Sequence, residues 1–376
     1  MQELKILPHN RPTLGKEEEK AAIRVIRSGW VAQGQEMKNF ENEFCDYLGL
    51  PAGHAVALSS GTAALFLALW VLGAKGKKVA FPVYACSALR NAAGMAGGEE
   101  ILIDISPASP NIDITVLKNS GADIAIIPHM FGLPVDFSDL SACPQPVSGE
   151  AEKSEGNDAL KGFGLRTDRN INLEIIEDCA QSLGAKINGI STGLHGKIGI
   201  FSFYATKLIT SGGHGGMLVS KDKAIVDAVR DYREFDQRRD NFRRFNFYMT
   251  DLQAAIGREQ LKKLPEFLNK RSEIFRRYQE AGLPLLGGAE FNKSLTPVRY
   301  RAVILTRAQQ KMITSLETAG IKAIVPIENW ELLGQPALFP SALKLAQETV
   351  SVPIYPALSD EDIKKIIPAV MEILQA

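Results

Sequence analysis

The chain has 376 residues, 45% of them hydrophobic and 23% charged, with 43 basic residues balanced by 43 acidic ones. That length is generous for a single core, so two packed units are expected, and the composition describes a globular protein rather than a disordered or fibrous one. Zero net charge supplies no field to collect nucleic acid or an anionic membrane.

The N-terminus, "MQELKILPHNRP", lacks the apolar centre of a signal peptide, and the longest apolar run, "AALFLALWVLGA", is too short to span a bilayer. The four cysteines, Cys45, Cys86, Cys143 and Cys179, lie far apart and form no C-x-x-C pair. Neither a zinc site nor a disulfide framework is indicated, and a cytoplasmic location is expected.

From residue 54 to residue 220, seven short apolar runs alternate with helical patterns: "HAVALSS", "KKVAFPV", "EEILIDI", "ADIAIIPHM", "LEIIEDCA", "IGIFSFY" and "GGMLVS". Their continuous hydrophobicity suits parallel strands joined by crossover helices and covered on both faces. The expected fold class is α/β, with a large domain over 1–249 built on a mostly parallel sheet flanked by helices. Within it, residues 141–172 are polar and glycine-dotted and read as a mobile surface insertion. A cluster of Arg238, Arg239, Arg243 and Arg244 reads as a solvated loop or helix face.

A smaller α+β domain is expected over 250–376. It opens with a helix capped by Thr250 or Asp251 and ending before Gly282, which Pro265 should divide or kink. The strand "RYRAVILT", the helix "AQQKMITSLETAG", the strand "IKAIVPI" and the helix "SDEDIKKIIPAVMEIL", with Ser359 as its N-cap, follow in that order.

Three stretches carry candidate chemistry. In "FSFYATKLITSGGHGGMLVS", Lys207 sits between apolar neighbours and a glycine loop. It is either a snorkelling surface lysine or an amine whose partial desolvation makes it a nucleophile for aldehydes and ketones. In "ALSSGTAALFLAL", Ser59, Ser60, Gly61 and Thr62 open a helix whose free N–H groups suit a phosphate, although Ser60 or Thr62 equally suits an ordinary N-cap. This is not G-x-G-x-x-G, so a dinucleotide site is not matched. In "IIEDCAQSLGA", the acids Glu177 and Asp178 end an apolar strand, and alternation lets only one of them face the crevice at the strand ends. An acid there holds a heterocyclic nitrogen protonated, as pyridoxal phosphate requires. The other reading of Asp178 is a helix cap.

These motifs, together with "FPVYACSALRNA", "SPNIDI", "IIPHMFGLP", "FNFYMTDLQAAIGREQL" and "VPIYPALSDEDI", run nearly end to end. In that order the sequence resembles the DegT/StrS sugar aminotransferases, pyridoxal-phosphate enzymes of fold type I. The resemblance implies that Lys207 carries the cofactor covalently and shuttles a proton. It implies that Asp178 pairs with the ring nitrogen, that Gln181 lies beside the ring oxygen, and that Gly61, Thr62 and Ser202 hold the phosphate, with Ser60 beside them among the cofactor-binding residues. Asn246 would reach the phosphate of a partner subunit, which implies a homodimer with shared active sites.

The sequence departs from the family at three places. Cys86 stands where an aromatic ring usually stacks on the cofactor, Gly213 and His214 replace a common glutamate, and Tyr248 replaces an arginine. These changes put the usual substrate in question more than the reaction. Dehydratases of the family carry histidine in place of the lysine, so Lys207 favours transamination over dehydration. His129 and His214 are read as approaching the site, and His9, His54 and His195 as surface or structural residues. The expected reaction moves an amino group from an amino acid, glutamate by the resemblance, to a nucleotide-linked keto-sugar. The competing reading is a pyridoxal-phosphate sensor without turnover.

Overall fold

The computed structural model describes residues 6–107, 109–136, 140, 173–288 and 293–375. The expected insertion at 141–172, including Cys143, lies outside the described residues.

Two helices lead the chain, α1 (Lys16–Ser28) and α2 (Gln35–Leu48). The alternating region follows as β1 (Ala55–Leu58), α3 (Gly61–Val71), β2 (Lys78–Pro82), α4 (Ala88–Met95), β3 (Glu99–Ile103), α5 (Ile114–Lys118), β4 (Ile124–Pro128) and β5 (Glu174–Asp178). After two short strands, β6 (Lys186–Ile187) and β7 (Ile190–Ser191), come β8 (Ile198–Ser202), β9 (Gly216–Val219) and α6 (Lys223–Arg233). The remainder is α7 (Asp251–Glu280), β10 (Leu295–Thr296), β11 (Ala302–Leu305), α8 (Gln309–Thr318), α9 (Pro340–Gln347), β12 (Thr349–Val352) and α10 (Asp360–Gln375).

All seven apolar runs form one sheet in the order β1-β9-β8-β5-β4-β2-β3. Pairings among β3, β2, β4, β5 and β8 are parallel, whereas β9 runs antiparallel to both β8 and β1. The departure has a simple cause: residues 203–215 return directly from β8 to β9 as a loop, without the crossover helix a parallel pair requires. Helix α3 is apolar almost all round and buried almost all round, packed against β8, β9 and α4.

Helix α7 begins at a capping box in which Thr250 Oγ1 accepts the Gln253 amide and Gln253 Oε1 accepts the Thr250 amide. Its first acid also serves another helix: the Asp251 carboxylate accepts the amides of Glu36 and Met37, supplying the cap that Gly34 cannot give α2. Pro265 does not divide α7, which runs unbroken for 30 residues. Only the bond from residue 265 to the Leu261 carbonyl is lost, and the buried side chains Leu264 and Phe267 hold the helix on both sides of the proline. Leu261, Leu264 and Phe267 join a core with Phe40, Phe44, Phe201 and Phe203, while Ile274, Phe275 and Tyr278 join a second core with β11, β12, α8 and α10.

The expected strand "IKAIVPI" does not form. Its backbone is shared between two partners: Leu7 pairs with Ile321 on one side, and Ile324 exchanges hydrogen bonds with Ser351 on the other. A single continuous ladder therefore has no edge to follow, and Pro326 ends the run. The partner strand of β11 is instead β12, which lies antiparallel to it from Ala302 opposite Val352 to Leu305 opposite Thr349.

Candidate active site

The carboxyl ends of β1, β2, β4, β5 and β8 point to one side of the sheet, the side on which open α/β sheets bind ligands. A cavity of about 260 Å³ opens there. Its walls include Ser60 after β1, Cys86 after β2, Pro128 and His129 at the end of β4, Asp178 at the end of β5 and Ser202 at the end of β8. Gly61, Thr62, Gln181, Tyr204, Lys207 and His214 also line it. Ten of the candidate positions, contributed by five strand ends and three loops, therefore meet at one place.

Ser60 settles two readings at once. Its Oγ accepts the Ala63 amide at 3.1 Å as the N-cap of α3, and it lines the cavity as well. The backbone here is crowded. A Cβ on Gly61 would lie 2.9 Å from the Ser202 Cβ, and one on Gly216 would lie 2.3 Å from the Ser60 carbonyl oxygen. Glycine at both positions lets the helix start, β8 and β9 close into a small-residue cradle with the helix N–H groups exposed to it.

The Lys207 loop is pinned by its apolar residues. Phe203 packs against Phe40 and Phe44, and Leu208 and Ile209 are buried in the same core. Between these anchors the Lys207 amide donates to the Tyr204 carbonyl at 2.9 Å, and its side chain faces the cavity. The Lys207 Nζ also stands 5.6 Å from the centre of the Tyr300 ring. Burial alone would raise the Tyr300 phenol, but the charges of Lys207 and Arg301 and a hydrogen bond with Thr206 hold its pKa below the ordinary value.

The adjacent acids divide as strand alternation requires. Asp178 is buried on the cavity wall with the Ala180 amide on its Oδ1 at 3.0 Å. Burial pushes its pKa up, opposed by that amide and by the charge of Lys207. Glu177 turns away and accepts the amides of Gly193, His195 and Gly196 as well as the His129 ring. Gln181 Oε1 accepts the Phe131 amide at 2.8 Å, and the Gln181 amide nitrogen contacts the Met130 sulfur at 4.0 Å.

Asn246 is the candidate that stays outside. It is exposed, and its Oδ1 accepts the Tyr248 amide at 3.1 Å. Arg244, read from sequence as part of a solvated face, is largely buried and paired with Asp231 and Asp240. Tyr300 escaped the sequence reading because it was only one residue of an apolar strand run. Its contact with Lys207 joins segments far apart in the chain, and the flanking Arg299 and Arg301 were the sole local signal.

The sequence signature of the DegT/DnrJ/EryC1/StrS aminotransferase family matches residues 12–146 and 166–371. The spore coat polysaccharide biosynthesis protein SpsC of Bacillus subtilis is 31% identical, with 98% of this chain and 97% of SpsC covered. A GDP-perosamine synthase of Vibrio cholerae is 27% identical, with 96% and 97% covered. A Streptococcus pneumoniae protein described as a sugar aminotransferase, solved in its PLP form, shares the fold at a TM-score of 0.84 and 21% identity, with 98% of this chain and 99% of that one covered. With a matching signature along most of its length and a relative of this similarity along nearly all of it, the chain belongs to the DegT/DnrJ/EryC1/StrS aminotransferase family.

Proposed function

We propose that the protein uses pyridoxal 5'-phosphate to move an amino group from L-glutamate to a keto-sugar carried on a nucleotide. The observation that carries this reading is the meeting of Lys207 and Asp178 on the walls of one cavity. The residues present fit the cofactor. Asp178 is a buried carboxyl that a cationic ring nitrogen would neutralise, and the cradle of Ser60, Gly61, Thr62 and Ser202 at the start of α3 suits a phosphate.

When bound, pyridoxal phosphate supplies an electron sink for the substrate carbon. Lys207 anchors it and moves the proton at its Nζ. Asp178 would keep the ring nitrogen protonated, and the Gln181 amide nitrogen would be the donor available to the ring oxygen. Cys86, exposed in the cavity, presents a thiol where a stacking ring is usual. His129 and His214 also line the cavity.

Sugar nucleotides as acceptors are supported by the relatives, one named for polysaccharide biosynthesis and one for GDP-perosamine synthesis. Lys207 supports amino transfer over dehydration. Asn246, exposed and next to Phe245 with its ring 58% exposed, is read as crossing to the phosphate of a second copy in a homodimer. Among the described residues no helix is long and apolar enough to cross a membrane, and we assign the reaction to the cytoplasm.

The test is borohydride reduction of the protein loaded with cofactor, followed by peptide mapping. Label on Lys207 is the expected result, and label on Lys197 or Lys221 would sink the assignment. A spectral titration with glutamate and then with keto-sugar nucleotides names the two substrates.

A further inference from the structure

A buried side chain outside the cavity decides which end of the Gln181 amide the cavity meets. After β4 the chain makes a tight turn over Met130–Gly132, and its middle residue, Phe131, holds φ 58° and ψ 14°. That is the left-handed region, which a bulky side chain occupies only where its surroundings compel it. Three contacts do so here. Asn111, between β3 and α5 and 6% exposed, accepts the Met130 amide on its Oδ1 at 2.8 Å and donates from Nδ2 to the Leu133 carbonyl at 2.9 Å. Val298 donates its amide to the Gly132 carbonyl at 3.0 Å. The Phe131 ring packs edge-on against Tyr84, with the ring centres 6.2 Å apart.

Asn111 cannot turn over, because the Met130 N–H requires its oxygen and the Leu133 carbonyl requires its NH2. The turn that it clamps presents the Phe131 N–H to Gln181 Oε1 at 2.8 Å. Only the oxygen of a side-chain amide meets a backbone N–H, so Gln181 is held in one orientation as well. Its NH2 is left on the other side, 4.0 Å from the Met130 sulfur, and both Gln181 and Met130 line the cavity. A thioether is a weak acceptor and leaves this donor largely unspent. The cavity therefore meets a donor at this wall, and the ligand atom opposite it must accept.

We propose that Asn111 is a positioning residue for the cofactor: through the turn at 130–133 it commits the Gln181 NH2 group to the ring oxygen of pyridoxal phosphate. The inference rests on the cofactor reading above and deepens it, since Asn111 is not among the residues that line the cavity.

The test is a pH titration of the visible absorption band of the protein loaded with pyridoxal phosphate, run as a double-mutant cycle between Asn111 and Gln181. A hydrogen bond donated to the ring oxygen favours its ionised form, so losing that bond makes the oxygen more basic and moves the midpoint up. Gln181→Leu should raise the midpoint by about one unit, the size of one hydrogen bond to a charged group. Asn111→Ala should move it the same way, and in the Gln181→Leu background it should add nothing, because its effect passes through the amide already removed. Asn111→Asp keeps an oxygen for the Met130 amide and nearly the native shape, and it should give the same pattern where the alanine variant does not fold. A midpoint left at or below the native value in the Asn111 variants overturns the proposal. An upward shift of equal size with and without the Gln181 side chain overturns it too, since Asn111 would then act on the fold and not through Gln181. An unmutated protein that develops no visible band with pyridoxal phosphate removes the cofactor reading itself and the proposal with it, whereas a native band with a native midpoint in the Asn111 variants removes the proposal alone.

Discussion

The His129 ring meets Glu177 at 3.0 Å through Nε2 while its Nδ1 accepts the Val135 amide at 3.0 Å. One ring nitrogen accepts, so the other donates, and the ring has a fixed tautomer. Glu177 in turn gathers three backbone amides from the turn at 193–196. The pair thus ties the ends of β4 and β5 to that turn and fixes the wall from which Asp178 faces the cavity.

Glu177→Gln should therefore destabilise the fold. Burial works against the Glu177 carboxylate, but the His129 and backbone hydrogen bonds outweigh it and hold the pKa below the ordinary glutamate value. A carboxyl lowered in the fold contributes stability above its unfolded pKa and loses it as pH falls through the folded one. The urea midpoint of Glu177→Gln at neutral pH should drop by the equivalent of about 1–3 kcal/mol. The gap from the native protein should close in acid below the ordinary glutamate range. A gap that persists unchanged there would refute the charged role.

Asp178→Asn should act in the opposite direction on the cofactor-free protein. Burial raises the Asp178 pKa, and a carboxyl raised in the fold favours the folded state below its unfolded pKa and loses that contribution as pH rises through the folded one. At neutral pH the amide should leave the apoprotein as stable as before or more so. Turnover should fall by the equivalent of about 3 kcal/mol or more, on the scale of lost preorganised electrostatics. Urea melts of the apoprotein alongside steady-state rates check both halves, and unimpaired turnover would leave Asp178 as a mere cap.

Cys86 is exposed in the cavity, whereas Cys45 and Cys179 are buried. N-ethylmaleimide should modify Cys86 in the apoprotein, and saturation with pyridoxal phosphate should slow that reaction at least about tenfold, because a ligand filling a cavity removes most of its wall from solvent. Mass-mapped labelling at equal rates with and without cofactor would remove Cys86 from the cofactor's surface.

The proposed sharing of active sites across a homodimer predicts complementation. Lys207→Ala and Asn246→Asp should each be nearly inactive, the latter because a carboxylate repels the partner's phosphate; simple loss of one hydrogen bond to a charged group is worth only about 1.5–3 kcal/mol. Mixed dimers regain one site with both native residues, so exchanged mixtures should recover activity that neither variant has alone. Confirmed exchange without recovery would show that each chain builds its own site.

The strands were legible because buried parallel strands repeat a local signal, a short continuous apolar run, and all seven runs entered the sheet. The site was legible where chemistry and position coincide at strand ends, as at Ser60, Asp178 and Ser202. What eluded the sequence was pairing between distant segments. "IKAIVPI" is apolar enough for a strand, yet its backbone partners are the distant Leu7 and Ser351. The Asp251 carboxylate caps α2 although its own helix is α7. Tyr300 gains meaning only from Lys207, which no local period announces. Pro265 misled for the complementary reason: a local rule about one hydrogen bond yielded to packing on both sides of it.

The segment before α1 acts as stitching. Leu7 donates its amide to the Gly320 carbonyl and accepts the Lys322 amide, His9 meets Ser351, and Asn10 holds the Thr206 carbonyl one residue before Lys207. The registration of the lysine loop is therefore set in part by a segment 196 residues earlier in the chain. A purification tag or fusion joined close to residue 6 pulls on the same thread that sets the lysine loop, whereas the last turn of α10 has no such attachment to Lys207. Removing residues 6–10 should therefore loosen the lysine loop, because it deletes the Asn10 hydrogen bond to the Thr206 carbonyl.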